Sequence, residues 1–220
     1  MYINFLKKYS LWIFSVFVNA FGNSLLIKSH MGSGPWIAAS MGIAESSHLQ
    51  IGVCTIILNF LIYVPIIIIS RKFNLLKLIG SFFVAYIFGR FLDMFLNIFT
   101  WLELESYFLR IIIFFIGDLV LSAGISVYLR LNIAMNPFDQ FLQTVNEFLI
   151  PDMKKANLVY LGVPLIIAVL FGIYNNFNFA GIGLGTFFMF FFNGIFIKFF
   201  HKKIVIPVEI LSPRRYIQKH

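Results

Sequence analysis

Six apolar runs, each long enough to cross a bilayer, constrain this chain more than any other feature. A crossing helix takes roughly 20 predominantly apolar residues, and the runs fall at residues 9–27, 51–69, 78–98, 107–129, 158–174 and 182–200. A chain of 220 residues that is 60% hydrophobic and 12% charged is too apolar for a water-soluble domain of its size. The runs are therefore read as six transmembrane helices.

The first run follows Lys7 and Lys8, as in a signal peptide, but its apolar core is too long and no small-x-small cleavage site follows. It is read as retained. A single cysteine, Cys54, excludes a disulfide framework and a Cys-based metal site, and His30, His48, His201 and His220 are scattered without ligand spacing. No metal and no cofactor is expected.

Lys and Arg set the orientation, because cytoplasmic flanks retain positive charge. With the N-terminus inside, that side holds Lys7, Lys8, Arg71, Lys72, Lys77, Arg130, Lys154, Lys155, Lys198, Lys202, Lys203, Arg214, Arg215 and Lys219, against Lys28 and Arg110 outside. Both termini are expected in the cytoplasm. This asymmetry and attraction to anionic lipid account for the net charge of +8, so nucleic acid is not needed as a partner. The basic tail, residues 201–220, is too short for a domain and is expected to lie along the inner membrane surface.

The chain also repeats itself. An ungapped offset of 102 positions aligns Ala20 with Ser122, Gly22 with Gly124, Ser24 with Ser126, Lys28 with Arg130, Pro35 with Pro137, Trp36 with Phe138 and Glu45 with Glu147. An offset of 105 aligns "GSFFVAYIFG" with "GTFFMFFFNG". Residues 1–100 and 101–200 are thus expected to be two three-helix repeats. An odd number of spans sends the second copy in from the opposite side, so the repeats are inverted, an arrangement recurrent in transporters with midplane sites at broken helices.

"HMGSGPW" at 30–36 and "NIAMNPF" at 132–138 interrupt the first span of each copy. Pro35 and Pro137 suit the first position of a new helix, and Asn136 suits an N-cap. The new helices, about 35–46 and 137–149, are too short to cross a bilayer. On the second, Phe138, Phe141, Leu142, Val145, Phe148 and Leu149 share one face. Two readings stand: an interfacial helix with its apolar side in the headgroups, or a re-entrant half-helix whose N-terminal dipole faces an internal cavity.

The stretches "GNSLLIKSHMGSGPWIAASMGIAE", "GSFFVAYIFGRFLDMFL", "GISVYLRLNIAMNPFDQFL" and "GIGLGTFFMFFFNG" resemble the bacterial YczE-type integral membrane proteins, a group similar to the wider YitT family. Gly32, Gly34, Pro35, Trp36, Gly89, Asp93, Leu96, Pro137 and Asp139 match its pattern. Two positions depart from it: Ile37 stands where an Asp often follows the Trp, which argues against a role for a paired Asp in the first half, and Ala134 replaces a glycine in the second copy. The resemblance implies a multi-pass bacterial plasma-membrane protein and supplies no substrate.

Ionisable residues inside a membrane are costly and face a bundle interior or cavity. Asp118 lies in the fourth span, Arg90 and Asp93 in the third, and an Arg90–Asp118 pair is a candidate for a structural tie. Lys28 and Arg130 end their spans, where snorkelling competes with substrate contact. Glu45 and Glu147 are candidates for carrying protons, or are simply solvated. Ala20, Gly22 and Ser24, matched by Ser122, Gly124 and Ser126, form small faces that predict a close crossing of the first and fourth spans, with Ser24 and Ser126 near enough to cross-link.

Catalytic motifs are mostly absent, which weakens an enzyme reading and leaves a membrane-embedded enzyme as the third alternative. "GIGLGT" at 181–186 lacks the dinucleotide-binding order and reads as a flexible lead-in to the last helix. The expected function is a small secondary transporter or exporter of a small polar or anionic solute. Its candidate binding residues are Lys28, Gly34, Pro35, Trp36, Arg130, Asn136, Pro137, Phe138 and Asp139, with Glu45, Arg90, Asp93, Asp118 and Glu147 as coupling or buried charges. The alternative is a non-transporting accessory or regulatory membrane protein. Besides lipid and solute, a second copy of the chain is a candidate partner.

Overall fold

A computed structural model describes residues 2–207 and 210. Among these residues it has eight α-helices and no strand: α1 (Tyr2–Ser29), α2 (Pro35–Ser47), α3 (Ile51–Ser70), α4 (Leu75–Ile98), α5 (Tyr107–Leu131), α6 (Pro137–Phe148), α7 (Met153–Tyr174) and α8 (Leu184–Lys203). Six of them, α1, α3, α4, α5, α7 and α8, are long and apolar enough to cross a membrane. They coincide with the six apolar runs, and the chain has the make-up of a multi-pass membrane protein. The 13 residues of α2 and 12 of α6 would reach only about 20 Å at 1.5 Å per residue, short of a hydrocarbon core of about 30 Å.

The break between α1 and α2 is built by backbone geometry. His30 turns left-handed at φ 54°, and Gly32 follows at φ 109°, a conformation that side chains resist. A Cβ on Gly32 would also lie 2.6 Å from Thr186 Oγ1 and 2.8 Å from Gly183 N. The reason is that "GIGLGT" is bound to this break: Gly185 N donates to Met31 O at 2.7 Å, and Ser33 N to Gly181 O at 2.9 Å. The expected flexible lead-in is instead a docking platform for the first broken helix. In the second half Asn132, at φ 47°, ends α5, and Asn136 Oδ1 caps α6 by accepting from Phe138 N at 3.0 Å.

At the centre α1 and α5 cross closely. A Cβ on Gly22 would lie 2.6 Å from Leu121 N and 2.8 Å from Gly117 O, and one on Gly124 would lie 2.9 Å from Asn19 N and 3.0 Å from Ser15 O. These contacts make the helices antiparallel, with Asn19 and Leu121 level at the crossing. The close approach of small residues is as the sequence led one to expect, but the antiparallel register separates Ser24 from Ser126: one sits level with Gly117, the other beyond Ser15.

Around this crossing α4 packs on α1, α8 on α5, α2 on α7 and α3 on α6, with further seams between α3 and α4, α2 and α3, and α6 and α7. One core forms on α1, α4 and α5 around Trp12, Val84, Phe88 and Leu131; another joins α2, α3, α6 and α7 around Trp36, Ile62, Phe138 and Phe141. The apolar side of α6 is therefore covered by protein through its first three turns, where Phe138, Phe141 and Val145 are buried. That removes the side that an interfacial helix would rest in headgroups; only Phe148 and Leu149 at its far end stay exposed. The outer surface carries Phe60, Leu76 and Phe191 at 61%, 82% and 67% exposure, a liability in water and the normal state against lipid. Residues 211–220 of the basic tail lie outside the described residues.

Candidate functional site

The N-terminal ends of the two short helices meet inside the protein. Trp36, second residue of α2, and Phe138, second residue of α6, stack with ring centroids 4.0 Å apart and planes 13° from parallel. Beside them lies a cavity of about 290 Å³. Gly34, Pro35 and Trp36 line it from the α2 end, Asn136, Phe138 and Asp139 from the α6 end. The crossing helices add Asn19 and Asn23 from α1 and Tyr128 from α5, while Tyr160 and Asn157 come from α7 and Asn193 from α8.

Each polar wall has a physical rationale. The Tyr128 hydroxyl accepts from Asn136 N–H and donates to the Asp139 carboxylate, so one phenol holds the start of α6 and its acid together. Asp139 is reached from the cavity but otherwise surrounded by protein; burial pushes its carboxyl up to about 6, partly opposed by the Tyr128 hydrogen bond. Asn23 Nδ2 donates to Asn19 Oδ1 at 2.8 Å, one helical turn away. The Trp36 indole N–H is directed toward Tyr160, yet it is buried without a hydrogen bond of ordinary geometry.

Six of the candidate residues thus converge on one cavity: Gly34, Pro35, Trp36, Asn136, Phe138 and Asp139. Pro137 is fully buried beside it as the first residue of α6. The others do not reach it. Lys28 ends α1 half-buried, and Arg130 turns to the end of α8, donating to Ile204 O at 2.6 Å and to Ser126 O at 3.1 Å. Glu45 is exposed and accepts from Asn178 Nδ2 at 3.2 Å; Glu147 is exposed at the far end of α6.

The Arg90–Asp118 pair does not form. Arg90 faces outward, because Gly89 and Asp93 occupy the side of α4 that meets α3, where Asp93 Oδ1 accepts Gly52 N–H at 2.7 Å. Asp118, fully buried, accepts instead from Asn193 Nδ2 at 2.7 Å, and the same amide reaches Ser122 Oγ at 3.3 Å. Asp118 therefore stands one side chain behind the cavity wall. No group of three or more metal-ligating side chains occurs among the described residues.

Sequence reasoning passed over the neutral polar residues: Asn19, Asn23, Tyr128, Asn157, Tyr160 and Asn193. The signal was present, since an amide in a membrane span also needs a partner or water. Attention to ionisable residues alone hid it.

Comparison with known proteins adds kinship without chemistry. The model of a Family of unknown function (DUF6198) matches residues 6–202. The chain is similar to the uncharacterized protein YyaS of Bacillus subtilis (strain 168), 24% identical over 185 residues, covering 81% of this chain and 85% of the relative. It is also similar to an uncharacterized protein of Haemophilus influenzae, 26% identical over 133 residues, covering 60% of this chain and 58% of that one. No solved structure matches. The matched family carries that description and neither the YczE nor the YitT name.

Proposed function

We propose that this chain, which belongs to that family of unknown function, is a small secondary transporter that binds a polar solute in the cavity between the N-termini of α2 and α6. The observation that carries the reading is the Trp36–Phe138 stack: two residues related by the 102-position offset meet face to face at a cavity wall. Supporting it, most helix contacts keep their pattern when α1, α2, α3 and α4 are exchanged for α5, α6, α7 and α8, the α3–α4 seam being the exception. The α2–α7 contact then becomes α6–α3, α1–α4 becomes α5–α8, and α2–α3 becomes α6–α7. Asn19 and Leu121, also 102 apart, lie level at the α1–α5 crossing, as a two-fold axis through that point requires. Inverted three-helix repeats of residues 1–100 and 101–200 account for all three observations and suit alternating access around a fixed site.

The setting is a bacterial plasma membrane with both termini cytoplasmic, on the argument from Lys and Arg. Anionic lipids would then attract the basic inner flanks. Because Lys28 and Arg130 stand away from the cavity, the solute is polar rather than simply anionic.

Access decides it. In a Cys54→Ser background, Trp36→Cys and Phe138→Cys are treated with membrane-impermeant thiol reagents from each side in turn. Transport predicts that each cysteine reacts from both sides. Reaction from one face only, under every condition, would leave a non-transporting accessory protein.

A further inference from the structure

We propose that the cavity binds a small zwitterion with an apolar body, the chemistry of an apolar amino acid, its carboxylate at the N-terminus of α2 and its ammonium at Asp139. This rests on reading the cavity as a transport site and names the substrate class of that site.

The two helix ends are alike in sequence position and opposite in chemistry. At α6 the end is closed: Asn136 Oδ1 accepts from Phe138 N, and Asp139 stands in the first turn. At α2 no side chain caps Gly34. The first-turn N–H groups of Trp36 and Ile37 have no helical acceptor, and both residues line the cavity. Such an end carries roughly half a positive charge and suits a carboxylate. A second, independent donor stands there: Trp36 is only 6% exposed, and its indole Nε1, directed toward Tyr160, makes no hydrogen bond of ordinary geometry. An unmet buried donor is costly unless a ligand supplies the acceptor.

The opposite pole is Asp139. No Lys, Arg or His lines the cavity, so no residue of its wall neutralises that carboxylate. Trp36, Phe138, Tyr128 and Tyr160 line the same cavity, and an aromatic wall suits an ammonium group. Ile37, Val84, Leu121, Ile125 and Met189 supply an apolar stretch of wall, beside the neutral amides of Asn19, Asn23, Asn157 and Asn193. A bare cation would leave the α2 donors unmet, and a bare anion would face Asp139. A zwitterion pairs both of its charges, which is the condition for taking them out of water. At about 290 Å³ the cavity is at the small end of ligand sites, which suits such a molecule.

The test uses the full chain purified in detergent, with Trp12→Phe and Trp101→Phe so that Trp36 is the fluorophore. Three probes separate the poles: leucine, isocaproate with the carboxylate alone, and isoamylamine with the ammonium alone. Leucine should change Trp36 emission at concentrations at least about tenfold lower than either half-ligand. Gly34→Asp places a carboxylate on the donor pole. A Cβ there meets only Met189 Cε at 3.5 Å, and the φ of −57° admits any residue, so the fold should hold. This variant should lose leucine and keep isoamylamine. Asp139→Asn should lose leucine and isoamylamine and keep isocaproate; it serves alone if Gly34→Asp does not give a monodisperse helical protein.

Equal binding of leucine and either half-ligand would overturn the proposal, as would no response to any of the three. Two-sided labelling of Trp36→Cys and Phe138→Cys would survive that result, so the transport reading and the zwitterion reading fail separately.

Discussion

The backbone N–H of Gly52 donates to Oδ1 of Asp93 at 2.7 Å, tying the first turn of α3 to the last turns of α4. The bond is reached only because the helices touch backbone to backbone: a Cβ on Gly52 would lie 2.0 Å from Gly89 O. The second half cannot copy it. The matched positions are Lys154 and Lys198, and a Cβ on Gly194, the counterpart of Gly89, would meet nothing within 4 Å. Asp93, which the sequence suggested as a coupling charge, accepts the Gly52 N–H through Oδ1, while its Oδ2 is buried without a hydrogen bond.

Two substitutions separate those roles. Asp93→Asn keeps an acceptor for Gly52 and should lower stability by less than about 1 kcal/mol. Asp93→Leu removes it and leaves a buried N–H unmet, at a cost of about 1 to 3 kcal/mol. Thermal unfolding in detergent reads both; equal losses would mean that the charge, not the hydrogen bond, matters at this position.

The α1–α5 crossing makes a sharper topological prediction than the small-residue faces could. In a Cys54→Ser background, Asn19→Cys with Leu121→Cys should be bridged by a short bifunctional thiol reagent, and Ser24→Cys with Ser126→Cys should not. Gel mobility after cleavage of the chain between the two helices gives the answer. The reverse result would break the antiparallel register and the two-fold axis argued from it.

The long elements were legible because hydrophobic length alone sets them: all six apolar runs became helices, and Pro35 and Pro137 each start a helix where the missing N–H costs nothing. Trp36, Phe138 and Asp139 were legible through their matched or motif positions. What stayed hidden is what depends on which helix faces which. Arg130 resembled a cavity charge until α8 brought the Ile204 carbonyl to it, and Asp118 resembled a partner for Arg90 until α8 brought Asn193. Ser24 and Ser126 are equivalent by offset but remote by register, because an antiparallel pair brings equivalents together only at the crossing point.

Asn193 carries a stability prediction of its own. Its amide is the hydrogen-bond partner of fully buried Asp118, and the other carboxyl oxygen, Oδ2, has none. Asn193→Leu would leave the acid without that donor and should cost about 1 to 3 kcal/mol. Asn193→Leu with Asp118→Leu removes both polar groups and should recover most of the loss. Unfolding temperatures of the two variants check this; a double variant no better than the single would assign the loss to packing.

Asp139 links stability to pH with a definite sign. Its carboxyl is raised from 3.8 to about 6 by burial in the folded protein. The folded state therefore holds this proton more tightly than the unfolded chain, and the stability that this confers is fully present below about 3.8 and lost as pH rises through about 6. Asp139 borders the cavity and is only partly buried, so the loss should be about 1 to 2 kcal/mol rather than the full shift. Asp139→Asn has no proton to lose and should flatten the curve in that window. Unfolding temperature measured from pH 4 to 7 for both proteins is the comparison, and a wild-type curve that rises relative to the variant between pH 4 and 6 would mean that the carboxylate is stabilised as an anion, by a cation that the cavity wall does not contain.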